Sequence, residues 1–181
     1  MENKNRQGTG LIHLYSGDGK GKTSAAMGLC VRAAGAGYRV LICQFMKDNS
    51  SAERRSMEKI PEITFLDAHE SVKFSFCMSS EEKQQEKAFC GALFEDAVRE
   101  AQEGGYDVLL LDEALYAVRK GFLEESRIVS FLETKPDGLE VILTGQDPGE
   151  ALISLCDYHS VIRKEKHPFD HNQKARRGIE Y

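Results

Sequence analysis

Short aliphatic runs alternate with longer stretches of helical periodicity along this chain. Leu11 to Tyr15, Arg39 to Phe45, Ile63 to Leu66, Val108 to Leu111 and Glu140 to Thr144 are bounded by turn-forming or charged residues and predict strands. Val108 to Leu111 is four consecutive aliphatics, as expected of a central strand covered on both faces. Between the runs, Thr23 to Ala36 repeats small and apolar residues at three-to-four spacing (Ala26, Leu29, Cys30, Ala33, Ala34) and ends at Gly35 and Gly37, which predicts a helix. Met57 to Pro61 closes a short helical segment. A long helix starts near Ser79, where Ser79 and Glu82 form a capping box, and Phe89, Leu93 and Ala97 continue one face until Gly104-Gly105. Glu124 to Thr134 predicts another helix. Asp147-Pro148-Gly149-Glu150 has the form of an N-cap, a proline at the first helical position and an acid at the third. A last strand near Ser160 to Ile162 precedes a basic tail. The alternation predicts an α/β fold with a mostly parallel central sheet between layers of helices. With no linker, repeat or low-complexity tract, residues 1–181 are expected to form a single domain with a short flexible arm at residues 1–9.

Composition narrows the classes. The chain of 181 residues is 41% hydrophobic and 29% charged, which excludes a disordered or collagen-like protein. A net charge of −5, from 24 basic and 29 acidic residues, argues against nucleic acid as a partner. No apolar run approaches the roughly 18 residues of a membrane span, and the polar stretch Met1 to Gly10 lacks the apolar core of a signal peptide. The cysteines at 30, 43, 77, 90 and 156 make no C-x-x-C pair and read as free thiols of a reducing, cytoplasmic compartment.

The sharpest chemical signal is Ser16-Gly17-Asp18-Gly19-Lys20-Gly21-Lys22-Thr23-Ser24, set between a predicted strand and a predicted helix. Phosphate needs several donors converging on dispersed negative charge. Glycines let the backbone curl so that successive N–H groups point inward, and the helix adds the positive end of its dipole. Lys22 is expected to reach the terminal phosphates and the Thr23 hydroxyl to ligate Mg²⁺, in a nucleotide-binding set of Gly17, Asp18, Gly19, Lys20, Gly21, Lys22, Thr23 and Ser24. Position 16, where the general motif has its first glycine, is serine. A P-loop also needs an acid to hold or orient the metal. Asp112-Glu113 follows the buried aliphatic strand and so falls at its carboxyl edge, where ligands of open α/β sheets bind. The bland reading of the same pair is two acids favoured by the dipole of the next helix.

Gly17-Asp18-Gly19-Lys20-Gly21-Lys22-Thr23, Arg32-Ala33-Ala34-Gly35, Gln44-Phe45-Met46-Lys47, Leu111-Asp112-Glu113, Tyr116-Ala117, Val141-Ile142-Leu143-Thr144-Gly145, Lys166-His167-Pro168-Phe169 and Gly178-Ile179-Glu180-Tyr181 occur in order along the chain. Together they resemble the P-loop corrinoid adenosyltransferases, and the resemblance implies a P-loop NTPase-like, RecA-like three-layer fold. The resemblance implies that the Co(I) of a reduced corrinoid attacks the 5′-carbon of ATP and that triphosphate leaves as one unit. It implies Lys22, Thr23 and Glu113 as catalytic residues, and Thr23, Glu113 and Asp112 around Mg²⁺. Phe74 and Phe76 would stand where the family places two aromatics, spaced F-x-W, against the lower face of the corrin; Phe76 replaces the tryptophan. A homodimer and a flavoprotein reductant are also implied.

Some positions depart from the family pattern: Gln146 in place of an arginine, Asn172 in place of a glycine, Ala52 before Glu53, and a short N-terminal arm. Arg163, Lys164, Lys166, Lys174, Arg176 and Arg177 crowd the tail, where a charge run is as readily a solvated face as a ligand site. His167 and His171 lie four apart but have Pro168 between them and no third zinc ligand nearby. Two other readings stay open: a P-loop ATPase or phosphotransferase that releases ADP and phosphate, and a non-catalytic nucleotide- or corrinoid-binding relative.

Overall fold

The computed structural model describes residues 9–68 and 77–180. Its centre is a six-stranded sheet: β1 (Ile12–Ser16), β2 (Val40–Gln44), β3 (Ile63–Phe65), β4 (Val108–Asp112), β5 (Glu140–Thr144) and β6 (Tyr158–Val161). The strand order is β3-β2-β4-β5-β1-β6, and every pairing is parallel. Six α-helices accompany it: α1 (Lys22–Gly35), α2 (Ala52–Met57), α3 (Ser80–Glu103), α4 (Ala114–Arg119), α5 (Glu125–Thr134) and α6 (Glu150–Leu155). The strand that precedes the glycine loop, β1, is separated from the acid-bearing β4 by β5, the arrangement of RecA-like P-loop folds.

Alternation along the strands builds two cores. Val40, Ile42, Val108, Leu110 and Ile142 face Ala26, Met27, Cys30 and Ala34 of α1 and Met57 of α2. Their neighbours Leu41, Cys43, Leu109, Leu111, Val141 and Leu143 face the other way, onto Cys90, Leu93, Phe94 and Ala97 of α3, Ile128 and Phe131 of α5 and Leu152 of α6. Strands β2 and β4 are therefore apolar at every position except the last, because a parallel sheet covered on both faces has no wet side.

The last position breaks that rule in four strands. Ser16, Gln44, Asp112 and Thr144 each end a strand, and all four are buried. All strands run the same way, so these polar residues gather at one edge.

Element boundaries agree with the sequence expectations to within a residue except at four places, the first being α2, which ends at Met57 and does not run on to the expected Pro61. Helix α4 is six residues long, too short to show a period, and is held by Ala114, Leu115 and Ala117 in the core. Helix α6 starts at Glu150 with Gly149 as N-cap, in place of the expected Asp147 cap and Pro148 start. Asp147 takes a left-handed φ of 51° and pairs with Arg119, while the Gly149 N–H donates to Glu125 Oε2 at 2.9 Å, so a distant acid does the work of a local cap. Strand β6 begins at Tyr158, two residues earlier than expected, and is exposed along its length, so it lacks a hydrophobic signature.

The capping box of α3 is present, with Glu82 N donating to Ser79 Oγ at 3.2 Å and Ser79 N to Glu82 Oε2 at 2.8 Å. Ser79→Ala is expected to destabilise the protein by about 1 kcal/mol. Urea unfolding should show a lower midpoint with an unchanged m-value, and an unmoved midpoint would count against the cap.

Candidate functional site

The glycine loop connects β1 to α1. Gly17 and Gly21 adopt φ of 111° and 120°, conformations that disfavour a side chain. Helix α1 has no side chain capping its start and no acid in its first turn, so its leading N–H groups and dipole are left for an anion. The chain leaving β6 closes the loop from outside. Gly19 N donates to Ile162 O at 2.8 Å, and Lys164 N donates to Asp18 Oδ1 at 3.0 Å. A Cβ on Gly17 would stand 2.3 Å from Ile162 O, and one on Gly19 2.7 Å from the Arg163 backbone, so this contact requires glycine at both positions.

Among the lysines, Lys22 Nζ folds back to donate to Gly19 O at 2.8 Å, as a phosphate-binding lysine does over its own loop. Lys20 points toward the C-terminal turn and pairs with Glu180 Oε1 at 3.0 Å, where Arg176 also holds the Glu180 carboxylate well below the usual range. A cavity of about 250 Å³ opens here between Lys20, His167, Phe169, Lys174 and Glu180. Part of the basic tail is therefore folded against the loop.

Asp112 joins the loop to the far side of the sheet. It is fully buried. Its Oδ1 accepts from Thr23 Oγ1 at 2.9 Å and Thr144 Oγ1 at 2.7 Å; its Oδ2 accepts from Lys47 Nζ at 2.8 Å and Gln44 Nε2 at 3.2 Å. Burial alone would lower the Lys47 pKa, but the charge and hydrogen bond of Asp112, with Glu53 and Glu113 beside it, raise it overall. Lys47 is thus held as a cation.

Glu113 follows with a left-handed φ of 59°, which turns the chain out of β4 and into α4. Its N–H donates to Thr144 Oγ1 at 2.8 Å, and no described residue hydrogen-bonds its carboxylate. Burial, then the neighbouring Asp112 charge, raises the Glu113 pKa, while Lys47 and Lys22 oppose the rise.

The structure thus brings the loop residues, Thr23, Asp112 and Glu113 to one sheet edge. Phe74 and Phe76 lie outside the described residues. Arg119 donates to Gln146 Oε1 and pairs with Asp147 at 3.1 Å, so a cation borrowed from α4 stands beside Gln146. Gln44, Lys47 and Thr144 were not among the expected site residues. Their signal is faint: a polar residue that closes an otherwise apolar strand, or one that follows shortly after.

A glycine loop before an uncapped helix, a lysine over it, and an acid of a non-adjacent strand bonded to the loop threonine define a protein of the P-loop fold class. Within that class, residues 8–181 match the model of the family described as ATP:corrinoid adenosyltransferase BtuR/CobO/CobP, and the chain belongs to that family. It is 31% identical over 172 residues to the corrinoid adenosyltransferase of Escherichia coli K12, covering 95% of this chain and 86% of the relative. The corrinoid adenosyltransferase CobA of Salmonella typhimurium LT2 matches at the same identity and coverage. The Pseudomonas aeruginosa PAO1 corrinoid adenosyltransferase is 28% identical over 177 residues, covering 97% of this chain and 86% of that one.

The raised Glu113 pKa has a consequence for stability. The folded protein binds this proton more tightly than the unfolded chain, so the cost of the buried charge is absent below the unfolded pKa and appears as the pH rises through the folded one. Glu113→Gln is expected to melt at a higher temperature than the wild type near pH 7, with the difference shrinking toward about pH 4. A difference that does not depend on pH would show that charge is not its source.

Proposed function

We propose that this chain is an ATP:corrinoid adenosyltransferase of adenosylcobalamin biosynthesis or salvage, forming a bond from the Co(I) of a reduced corrinoid to the 5′-carbon of ATP. The 5′-carbon–oxygen bond breaks, its electron pair leaves with triphosphate, and the cobalt is formally oxidised from Co(I) to Co(III). The attacking centre is already electron-rich, so no general base is needed. The observation that supports this most is the 2.9 Å bond from Thr23 to Asp112 within a chain that matches the family over nearly its whole length.

The protein's task is to hold the leaving group and stabilise its charge. Lys22 and the first-turn amides of α1 are the phosphate donors. Lys20 joins them if the phosphate chain displaces Glu180. Gly17, Gly19 and Gly21 shape the loop; Ser24 adds the next amide of α1 and a hydroxyl. Asp18 acts indirectly by anchoring the loop to Lys164. The donor set at Thr23 and Glu113, one hydroxyl and one carboxylate that no described residue hydrogen-bonds, suits a Mg²⁺ whose other positions are filled by phosphate oxygens and water. That ion would neutralise charge on the leaving triphosphate. Asp112, with both oxygens occupied by protein donors, serves by orienting the Thr23 hydroxyl.

Phe74 and Phe76 are assigned to the lower corrin face on the family resemblance. So are a homodimer, a flavoprotein that supplies the electron to Co(II), and work in the cytoplasm. No helix among the described residues is long and apolar enough to cross a membrane.

The test is an anaerobic assay with Mg-ATP and chemically reduced cob(I)alamin. Loss of Co(I) absorbance, a photolabile product and stoichiometric triphosphate are expected. ADP and phosphate without a corrinoid change would place the protein among ordinary P-loop ATPases. Lys22→Ala should lower triphosphate release by about a hundredfold or more, and undiminished release would remove the loop lysine from the mechanism.

A further inference from the structure

Lys47 is the cation that the described contacts place on Asp112, and neither nucleotide binding nor the chemistry above uses it. A carboxylate offers about four acceptor positions on its two oxygens. All four of Asp112 are filled by protein donors: Thr23 and Thr144 on Oδ1, Lys47 and Gln44 on Oδ2. A divalent ion could therefore bind Asp112 directly only by displacing one of them.

The surroundings of Oδ2 show which displacement matters. Glu53 Oε1 lies 3.4 Å from Lys47 Nζ and 3.4 Å from Gln44 Nε2, so the two donors sit between the carboxylates of Glu53 and Asp112. Ser51 Oγ fixes the other end of Gln44 by donating to its Oε1 at 3.1 Å. Met46, with a left-handed φ of 57°, bends the chain immediately before Lys47. Without the ammonium, only the Gln44 amide would stand between the Glu53 and Asp112 carboxylates, whose oxygens are the donors that hard divalent cations prefer. With the ammonium in place one of that pair's two negative charges is offset, and the site carboxylate that no described residue hydrogen-bonds is Glu113.

We infer that Lys47 is a positioning residue: its ammonium keeps divalent cations off the Glu53–Asp112 pair and so confines the reaction's cation to the Thr23–Glu113 side. This rests on the functional reading above. The role is distinct from simple counter-charge, because it concerns where a metal binds and not only whether Asp112 can be buried.

The experiment is a Mn²⁺ titration of the full chain without nucleotide, followed by the electron paramagnetic resonance of free Mn²⁺. Wild type is expected to bind weakly. Lys47→Gln keeps a hydrogen-bond donor but removes the charge, and should bind one Mn²⁺ about tenfold tighter or more. Lys47→Arg should return to weak binding, and so should Lys47→Gln combined with Asp112→Asn. Mn²⁺ binding by Lys47→Gln that is as weak as wild type overturns the inference, as does tight binding by Lys47→Arg. If Lys47→Gln does not fold, Lys47→Met is read in the same way, and failure of both to fold overturns the inference by making the charge a requirement of folding. The titration needs no turnover. A wild type that fails the adenosyl-transfer assay therefore counts against the reaction, whereas an unaltered Mn²⁺ affinity counts against Lys47 alone.

Discussion

The carboxylate of Asp112 sets the main constraint on this structure. An ionised group removed from water costs several kcal/mol even after relaxation, unless charge and hydrogen bonds replace its hydration. The four replacements come from four separate places: Thr23 at the start of α1, Gln44 at the end of β2, Lys47 just after it, and Thr144 at the end of β5. Satisfying one buried side chain therefore requires the ends of β2, β4 and β5 and the start of α1 to be in register with one another. Gln44 stands directly opposite Asp112 in the β2–β4 pairing, and Phe45 N donates to Asp112 O at 2.9 Å, so the backbone ladder and the side-chain network close at the same point.

That network divides the sheet into a dry body and a polar rim. Below the rim β2 and β4 are apolar on both faces, since helices cover both. At the rim the same strands end in Ser16, Gln44, Asp112 and Thr144, none of which could be buried alone at acceptable cost. The loop for phosphate begins at this rim and is held from outside by the exit of β6, whose Ile162 carbonyl takes the Gly19 N–H. An exposed edge strand with little core of its own thus earns its place by shaping the loop. Its connection to β1 is reinforced on the side-chain level by Ser16 Oγ, 2.8 Å from His159 Nε2.

Much of the fold was legible in advance because its signals are local. Aliphatic runs marked β1 to β5, small-residue periodicity marked α1, and Ser79 with Glu82 marked the start of α3. The exceptions share a cause. Asp147-Pro148 has the local form of a helix start, but Arg119 holds Asp147 in a turn and Glu125 caps at Gly149, both from other parts of the chain. Tyr158 to Val161 carries no alternation because neither of its faces is covered. Helix α4 is a single short stretch whose stability comes from three buried residues.

At the site, the glycine loop, the acid pair after an apolar strand and the family likeness are all readable from neighbouring residues, since loop conformation and strand burial are local properties. Which donors satisfy Asp112, the pairing of Lys20 with Glu180 and the capture of Asp18 by the β6 exit come from the folded arrangement. Those partners are separated by between 32 and 160 residues, Gln44 and Lys47 lying 68 and 65 residues from Asp112. Such pairings depend on the order β3-β2-β4-β5-β1-β6, which brings positions 23, 44, 47, 112 and 144 to one edge. Local periodicity specifies that strands exist and which faces they bury. It does not specify which strand lies beside which, and the polar contacts of the site are set by that adjacency.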